Sequence, residues 1–191
     1  MSNKPKIVAV SGGLYKPSRT RVLVDEIVAS LGRQAQFDLH VIELADIAAE
    51  LGGVVNPADL PPHIAAHIHA IENADFLVVG SPVYRATFTG LFKHLFDFVH
   101  HEALIDVPVL FAATGGSERH ALVIDHQFRP LFSFFQALTL PIGVYASEAD
   151  FSNYRVSSEL LKARIELATR RALPFIQKRQ AIGDAETRAA A

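Results

Sequence analysis

The chain has 191 residues, half of them hydrophobic and a fifth charged, with a formal net charge of -2 and a sequence pI near 6.5. That length supplies one sizeable core without staples, and the charge balance excludes a basic binder of nucleic acid or anionic membrane, leaving small molecules as the expected partners. With no cysteine, disulfides, thiol catalysis and thiolate metal sites are excluded, and the absence of tryptophan removes one stacking aromatic.

In chain order, Ile7-Val8-Ala9-Val10 is a continuous apolar run, the mark of a strand covered on both faces. From Thr20, the spacing of Leu23, Ile27 and Leu31 predicts a helix that closes at Gly32, and Phe37 to Leu44 reads as a second strand. The stretch from Ala45 to Pro62, with Gly52-Gly53 and three prolines, reads as an irregular excursion, followed by a short helix through Ile64, Ile68 and Ile71. Phe76 to Gly80, Val107 to Ala113 and Ile142 to Ala146 are the third, fourth and fifth strands, separated by helical patterns of crossover length. A last helix is expected from Ser157 to Lys178, kinked or shortened by Pro174. This alternation predicts a flavodoxin-like, doubly wound α/β fold: a five-stranded parallel sheet with helices on both faces, in one domain over residues 1–180 and a disordered tail over 181–191. The amino terminus runs into the first strand without an apolar leader and no later run reaches spanning length, so the expected location is cytoplasmic.

Three polar loops follow three apolar strands: Ser11-Gly12-Gly13-Leu14-Tyr15-Lys16-Pro17-Ser18-Arg19-Thr20, Pro82-Val83-Tyr84, and Thr114-Gly115-Gly116-Ser117. In an open parallel sheet, ligands sit outside the carboxyl ends of the strands, so the three loops together predict a crevice. The hydroxyls of Ser11, Ser18 and Thr20, the cation of Arg19 and the amides opening the next helix suit an anion, which points to a phosphate-bearing ligand. Neither a Walker lysine nor a dinucleotide glycine pattern is present. Taken alone, Ser18 also reads as a simple helix cap.

Pro82-Val83-Tyr84, followed by Gly90-Leu91-Phe92-Lys93 and Asp97, resembles the signature of the NAD(P)H-dependent FMN reductases. Within them, Ala113-Thr114-Gly115-Gly116 and the helix carrying Asp125-His126-Gln127-Phe128-Arg129-Pro130 most resemble the reductases of bacterial alkanesulfonate and methanesulfonate use. The resemblance implies that Ser11, Ser18, Arg19 and Thr20 hold the FMN phosphate. It further implies that Pro82, Val83, Tyr84 and Arg85 run along the isoalloxazine and ribityl chain, and that Thr114, Gly115, Gly116 and Ser117 close the other side. FMN and NADH or NADPH are the implied cofactors, and hydride transfer to the flavin needs alignment from the protein rather than a side-chain acid, base or nucleophile, so no catalytic residue is assigned. Reduced FMN would then be released to a partner flavin-dependent monooxygenase. An FMN-retaining quinone or azo reductase, or a flavodoxin-type electron carrier, stays open as an alternative. Lys16, Arg19, Arg85 and Arg119 can each meet a phosphate, so the nicotinamide donor stays open too.

Pro130 has no amide to bond the His126 carbonyl and clashes with it, so the helix must adapt there, as a kink or as a π-bulge. The resembling reductases carry an aromatic residue at this point, in a bulge at their tetramer interface, and here the position is His126. Phe88, Leu91, Phe92, Leu95, Phe96 and Val99, with Phe128, Phe132, Phe134 and Phe135, are more aromatic than one sheet face requires, which predicts a homo-oligomer, a dimer or tetramer. His63, His67 and His69 lack a carboxylate pattern, so no metal site is assigned to them. His100-His101-Glu102 reads as a polar helix end and Lys93 with Asp97 as a surface pair.

Overall fold

The computed structural model describes residues 4–189, with side chains through Gln177. Four strands match the apolar runs within a residue or two: β1 (Lys6–Ser11), β2 (Asp38–Glu43), β3 (Phe76–Pro82) and β4 (Pro108–Gly115). The fifth is divided into β5 (Leu138–Thr139) and β6 (Val144–Ser147), which pair with β4 in succession and together fill one strand position. Pro141, which has no amide to give a ladder, lies in the gap between them. All pairings in this sheet are parallel, in the order β2-β1-β3-β4-β5 with β6 beside β4.

Successive residues on each strand feed opposite cores. Ile7 and Ala9 of β1 and Phe76 and Val78 of β3 face an aliphatic cluster closed by helices α1 (Arg19–Gly32) and α6 (Glu159–Ala189). Val8, Val10, Leu77 and Val79 face the other cluster, under α2 (Leu44–Leu51), α3 (Pro62–Glu72), α4 (Gly90–Asp97) and α5 (Arg129–Phe134). The Ser30 and Thr169 hydroxyls, 2.9 Å apart in the buried seam, fasten α1 to α6.

Helix α2 corrects the expected irregular stretch from Ala45. Leu44, Ile47 and Leu51 are fully or nearly buried at helical spacing, and the glycines end the helix rather than prevent it, leaving only a short 3₁₀ turn at Pro57–Asp59 before α3. Helix α6 continues past Pro174 to Ala189, beyond the end expected at Lys178 and through most of the stretch read as a disordered tail; residues 190 and 191 lie outside the described residues. Between β6 and α6 a small antiparallel hairpin, β7 (Phe151–Ser152) with β8 (Arg155–Val156), was not foreseen.

The aromatic side chains expected to face another subunit mostly fill the second core. Phe92, Phe96, Phe128, Phe132 and Phe135 are buried and meet ring to ring, whereas Phe134 stays 67% exposed. Before α5 the chain makes one π-helical turn, Ile124–Phe128, with His126 inside it and Pro130 just beyond. The widened turn is one way of accommodating the proline without breaking the helix.

Candidate active site

A cleft of about 310 Å³ opens across the carboxyl ends of β1, β3 and β4, where the chain order reverses between β1 and β3. Its floor is tied together by backbone: Gly12 N–H donates to the Gly80 carbonyl at 2.7 Å, and Val83 N–H donates to the Thr114 carbonyl at 2.7 Å. Thr89, which caps α4 by accepting from Phe92 N–H, also donates its hydroxyl to the Gly12 carbonyl at 3.0 Å. The first and second loops are thereby fixed to each other before any ligand is considered.

In the first loop, Ser18 and Arg19 line the cleft and Thr20 reaches its floor. Ser18 is the N-cap of α1, accepting from Arg21 N–H at 3.2 Å, so the helix amino terminus opens into the cleft. The Thr20 hydroxyl is buried and shares a 2.6 Å hydrogen bond with Thr114, joining the first loop to the third instead of standing free for an anion. Ser11 is fully buried and outside the cleft lining, and its hydroxyl has no partner among the described residues. Gly13 is needed for closeness: a Cβ there would sit 2.5 Å from the Ser18 hydroxyl.

In the second loop, Pro82, Val83 and Tyr84 line the cleft, and Tyr84 is 42% exposed. Tyr84 and Thr87 exchange backbone hydrogen bonds around a two-residue turn, with Arg85 at φ 51° and Ala86 at φ 72°. Two central residues with positive φ make the turn that suits a tight hairpin, and it carries Arg85 to the exposed tip, away from the cleft lining. Thr87 donates its hydroxyl to Gln127 at 3.0 Å, so the π-helical turn braces this loop, while His126 itself is exposed and does not line the cleft.

In the third loop, Thr114, Gly115 and Gly116 line the cleft. Ser117 turns outward, its carbonyl accepting the Tyr145 hydroxyl at 2.6 Å, and a Cβ on Gly115 would collide with that same hydroxyl. Burial pushes the Tyr145 phenol above its usual pKa, with Glu118 and Asp150 adding to the effect. A fourth wall, missed in the sequence, is formed by Ser147, Phe151 and Tyr154 of the β6 end and the β7–β8 hairpin, facing Tyr15 of the first loop. Asn153 and Tyr154 also have positive φ, and Asn153 between short alternating residues was the available turn signal.

Arg19 is the one charged side chain among the described residues lining the cleft. It pairs with Glu148 across the mouth and lies over the Tyr154 ring at 5.7 Å. Lys16 is turned away, paired with Asp46 and with Glu43 at 3.3 Å, and the hydrogen bond to Asp46 raises its pKa above the ordinary value despite the cost of desolvation. Arg119 stands on an exposed 3₁₀ turn outside the cleft lining.

The three histidines of α3 take different partners. His67 pairs with His40 of β2 at 2.8 Å and His63 approaches Glu50 at 3.5 Å, whereas His69 contacts Asn73. Lys93 and Asp97 do form an ion pair.

Strand order and cleft position define a flavodoxin-like α/β protein with its site at the switch point of the sheet. Residues 5–151 match the model of the NADPH-dependent FMN reductases, and the chain belongs to that family. It is 61% identical over 175 residues to "FMN reductase (NADPH)" of Pseudomonas aeruginosa, covering 92% of this chain and 94% of that protein. To "NADH-dependent FMN reductase SfnE" of Pseudomonas putida it is 54% identical, covering 95% of this chain and 98% of the relative. Among solved structures, an oxidoreductase of Corynebacterium diphtheriae superposes with a TM-score of 0.83 at 32% identity, covering 93% of this chain and 99% of that one.

Proposed function

We propose that the chain is an NAD(P)H-dependent FMN reductase that binds FMN in the cleft and releases it reduced to a separate flavin-dependent monooxygenase. The observation that carries the reading is the meeting of a helix amino terminus, one arginine and an aromatic rim in a single crevice at the sheet switch point. Its volume stands at the lower end of the range for small-molecule sites, as suits an open crevice that leaves one ring face for a second substrate.

In this reading Ser18, Arg19 and the first amides of α1 hold the phosphate. Pro82, Val83 and Tyr84 support one side of the ring system, and Thr114, Gly115 and Gly116 provide small residues and backbone donors on the other. A flavin held by these residues would supply a hydride acceptor, its N5, for a reduced nicotinamide. The protein then contributes alignment and exclusion of water: Tyr84 and Tyr154 narrow the mouth, and the hydrogen bonds joining the three loops hold its walls in register. The cleft lining has no carboxylate or histidine among the described residues, and the chemistry asks for none. A single cation among the described lining residues, itself partly exposed, supports a ligand that leaves rather than a group that stays.

The test is oxidation of NADH and of NADPH by protein purified without added flavin, at varied free FMN. Saturable dependence on FMN with reduced flavin appearing in solution is the expected result. Full turnover from retained FMN, responding only to a quinone or azo acceptor, would overturn it. The relatives' names include both donors, so the two are assayed in parallel.

A further inference from the structure

We propose that Glu148 is a built-in competitor for the flavin phosphate, a residue that weakens FMN binding and speeds its release; the inference rests on the cleft being an FMN site. Arg19 is the one cation lining the cleft among the described residues, and its guanidinium is already paired with the Glu148 carboxylate. A phosphate arriving at the amino terminus of α1 must therefore displace that carboxylate or share the guanidinium with it. Either way it meets a like charge.

The carboxylate is not there by the chance reach of a loose loop. Glu148 opens a 3₁₀ turn whose preceding residue, Ser147, forms a capping box with Asp150: Ser147 N–H and hydroxyl both donate to the Asp150 carboxylate, at 2.8 and 2.9 Å. The Asp150 carbonyl in turn accepts from Ser157 N–H at 2.9 Å, closing the hairpin segment. With Asp150 committed to this box, Glu148 is the acidic side chain the segment presents toward Arg19. Tyr154, from the same segment, lies under the guanidinium and keeps it oriented toward the mouth. One short segment thus supplies both the stacking surface for Arg19 and the anion that occupies it.

The pair is exposed on both sides, 41% for Arg19 and 62% for Glu148, so the opposition is modest and salt-sensitive. That suits a device that tunes residence time without abolishing affinity. Its signature is selectivity for the phosphate, since riboflavin has the same ring and ribityl chain without the anion.

The experiment measures FMN and riboflavin dissociation constants for wild type and Glu148→Gln by quenching of flavin fluorescence, at low and high salt, with the flavin off-rate by stopped flow. Glu148→Gln is expected to bind FMN about two- to fivefold more tightly, the range of an exposed ion pair. The off-rate falls and KM for FMN drops, riboflavin affinity is unchanged, and the FMN difference shrinks as salt rises. Equal FMN affinity in the two proteins, or equal tightening for riboflavin, would overturn the inference while leaving the flavin site standing. Wild-type protein that binds neither flavin would remove the site and this role with it.

Discussion

The two faces of the sheet are packed by different means. On one, two long helices, α1 and α6, lay aliphatic side chains against Ile7, Ala9, Val78 and Ala112, and the seam is closed by a pair of hydroxyls. On the other, four shorter helices leave gaps that rings fill, with Phe92, Phe96, Phe111, Phe128 and Phe132 packed edge to face or tilted at centroid distances of 4.9 to 5.8 Å. The long-helix face carries the cation of the cleft at the start of α1. The ring-packed face braces the second loop, through Phe88 on Phe128 and Thr87 on Gln127. One face therefore supplies the charge of the site, and the other supplies the shape.

The largest effect expected from breaking this division is at Phe128, which is fully buried and touches the rings of Phe88, Phe92 and Phe111. Phe128→Ala should cost about 3–5 kcal/mol of stability. In a chain of this length that is a melting temperature lower by about 6–20 °C. Because Phe88 and Gln127 lose their seating together, KM for FMN should rise as well. Ile27→Val on the aliphatic face should cost about 0.5–1.5 kcal/mol and leave KM unmoved. Thermal melts with steady-state kinetics on both variants check the contrast, and equal effects on KM would dissolve it.

The second expected effect is on charge without shape. Arg19→Ala removes the one cation lining the cleft among the described residues, and the loss of a charge-assisted hydrogen bond should weaken FMN binding about tenfold or more while riboflavin affinity and melting temperature stay near wild type. Flavin titrations of both ligands decide it. A parallel loss for riboflavin would mean that Arg19 shapes the cleft instead of charging it.

These contrasts also mark what was legible in the sequence. The buried strands were readable because parallel strands covered on both faces are unbroken apolar runs, and the loops after them stand out as polar punctuation. Nine of the twelve residues assigned to the crevice line it, since position after a strand end is a local property. Side-chain direction is not local. Arg85 is carried outward by a turn with two positive φ values, Ser117 is held back by Tyr145 from another strand, and Ser11 points into the interior. The fourth wall escaped notice because β7 and β8 are two residues each, too short to show a period. Helix α2 was hidden by the glycines and prolines after it, although Leu44, Ile47 and Leu51 carried the spacing. The strain at Pro130 was visible because its cause is covalent, and the π-helical turn stands there.

The smallest expected effect concerns the outer margin of the ring-packed face, where α3 meets the edge strand β2 through His67 and His40. Burial lowers the His67 pKa below its ordinary 6.5, with His40 and His63 adding to it, so the folded protein holds this ring neutral. As the pH falls below that value, the unfolded chain takes up a proton that the folded chain resists, so stability is full above about 6.5 and declines as the pH falls toward the folded value. His67→Gln should lower stability at neutral pH by about 0.5–1.5 kcal/mol, the net worth of one hydrogen bond, and make the decline toward pH 5 shallower than in wild type. Urea midpoints at pH 7 and pH 5 measure both quantities. Activity should be spared, because this edge touches neither the charged wall of the cleft nor the second loop. A slope as steep in the variant as in wild type would assign the acid sensitivity to other groups and leave the His40–His67 contact a purely packing one.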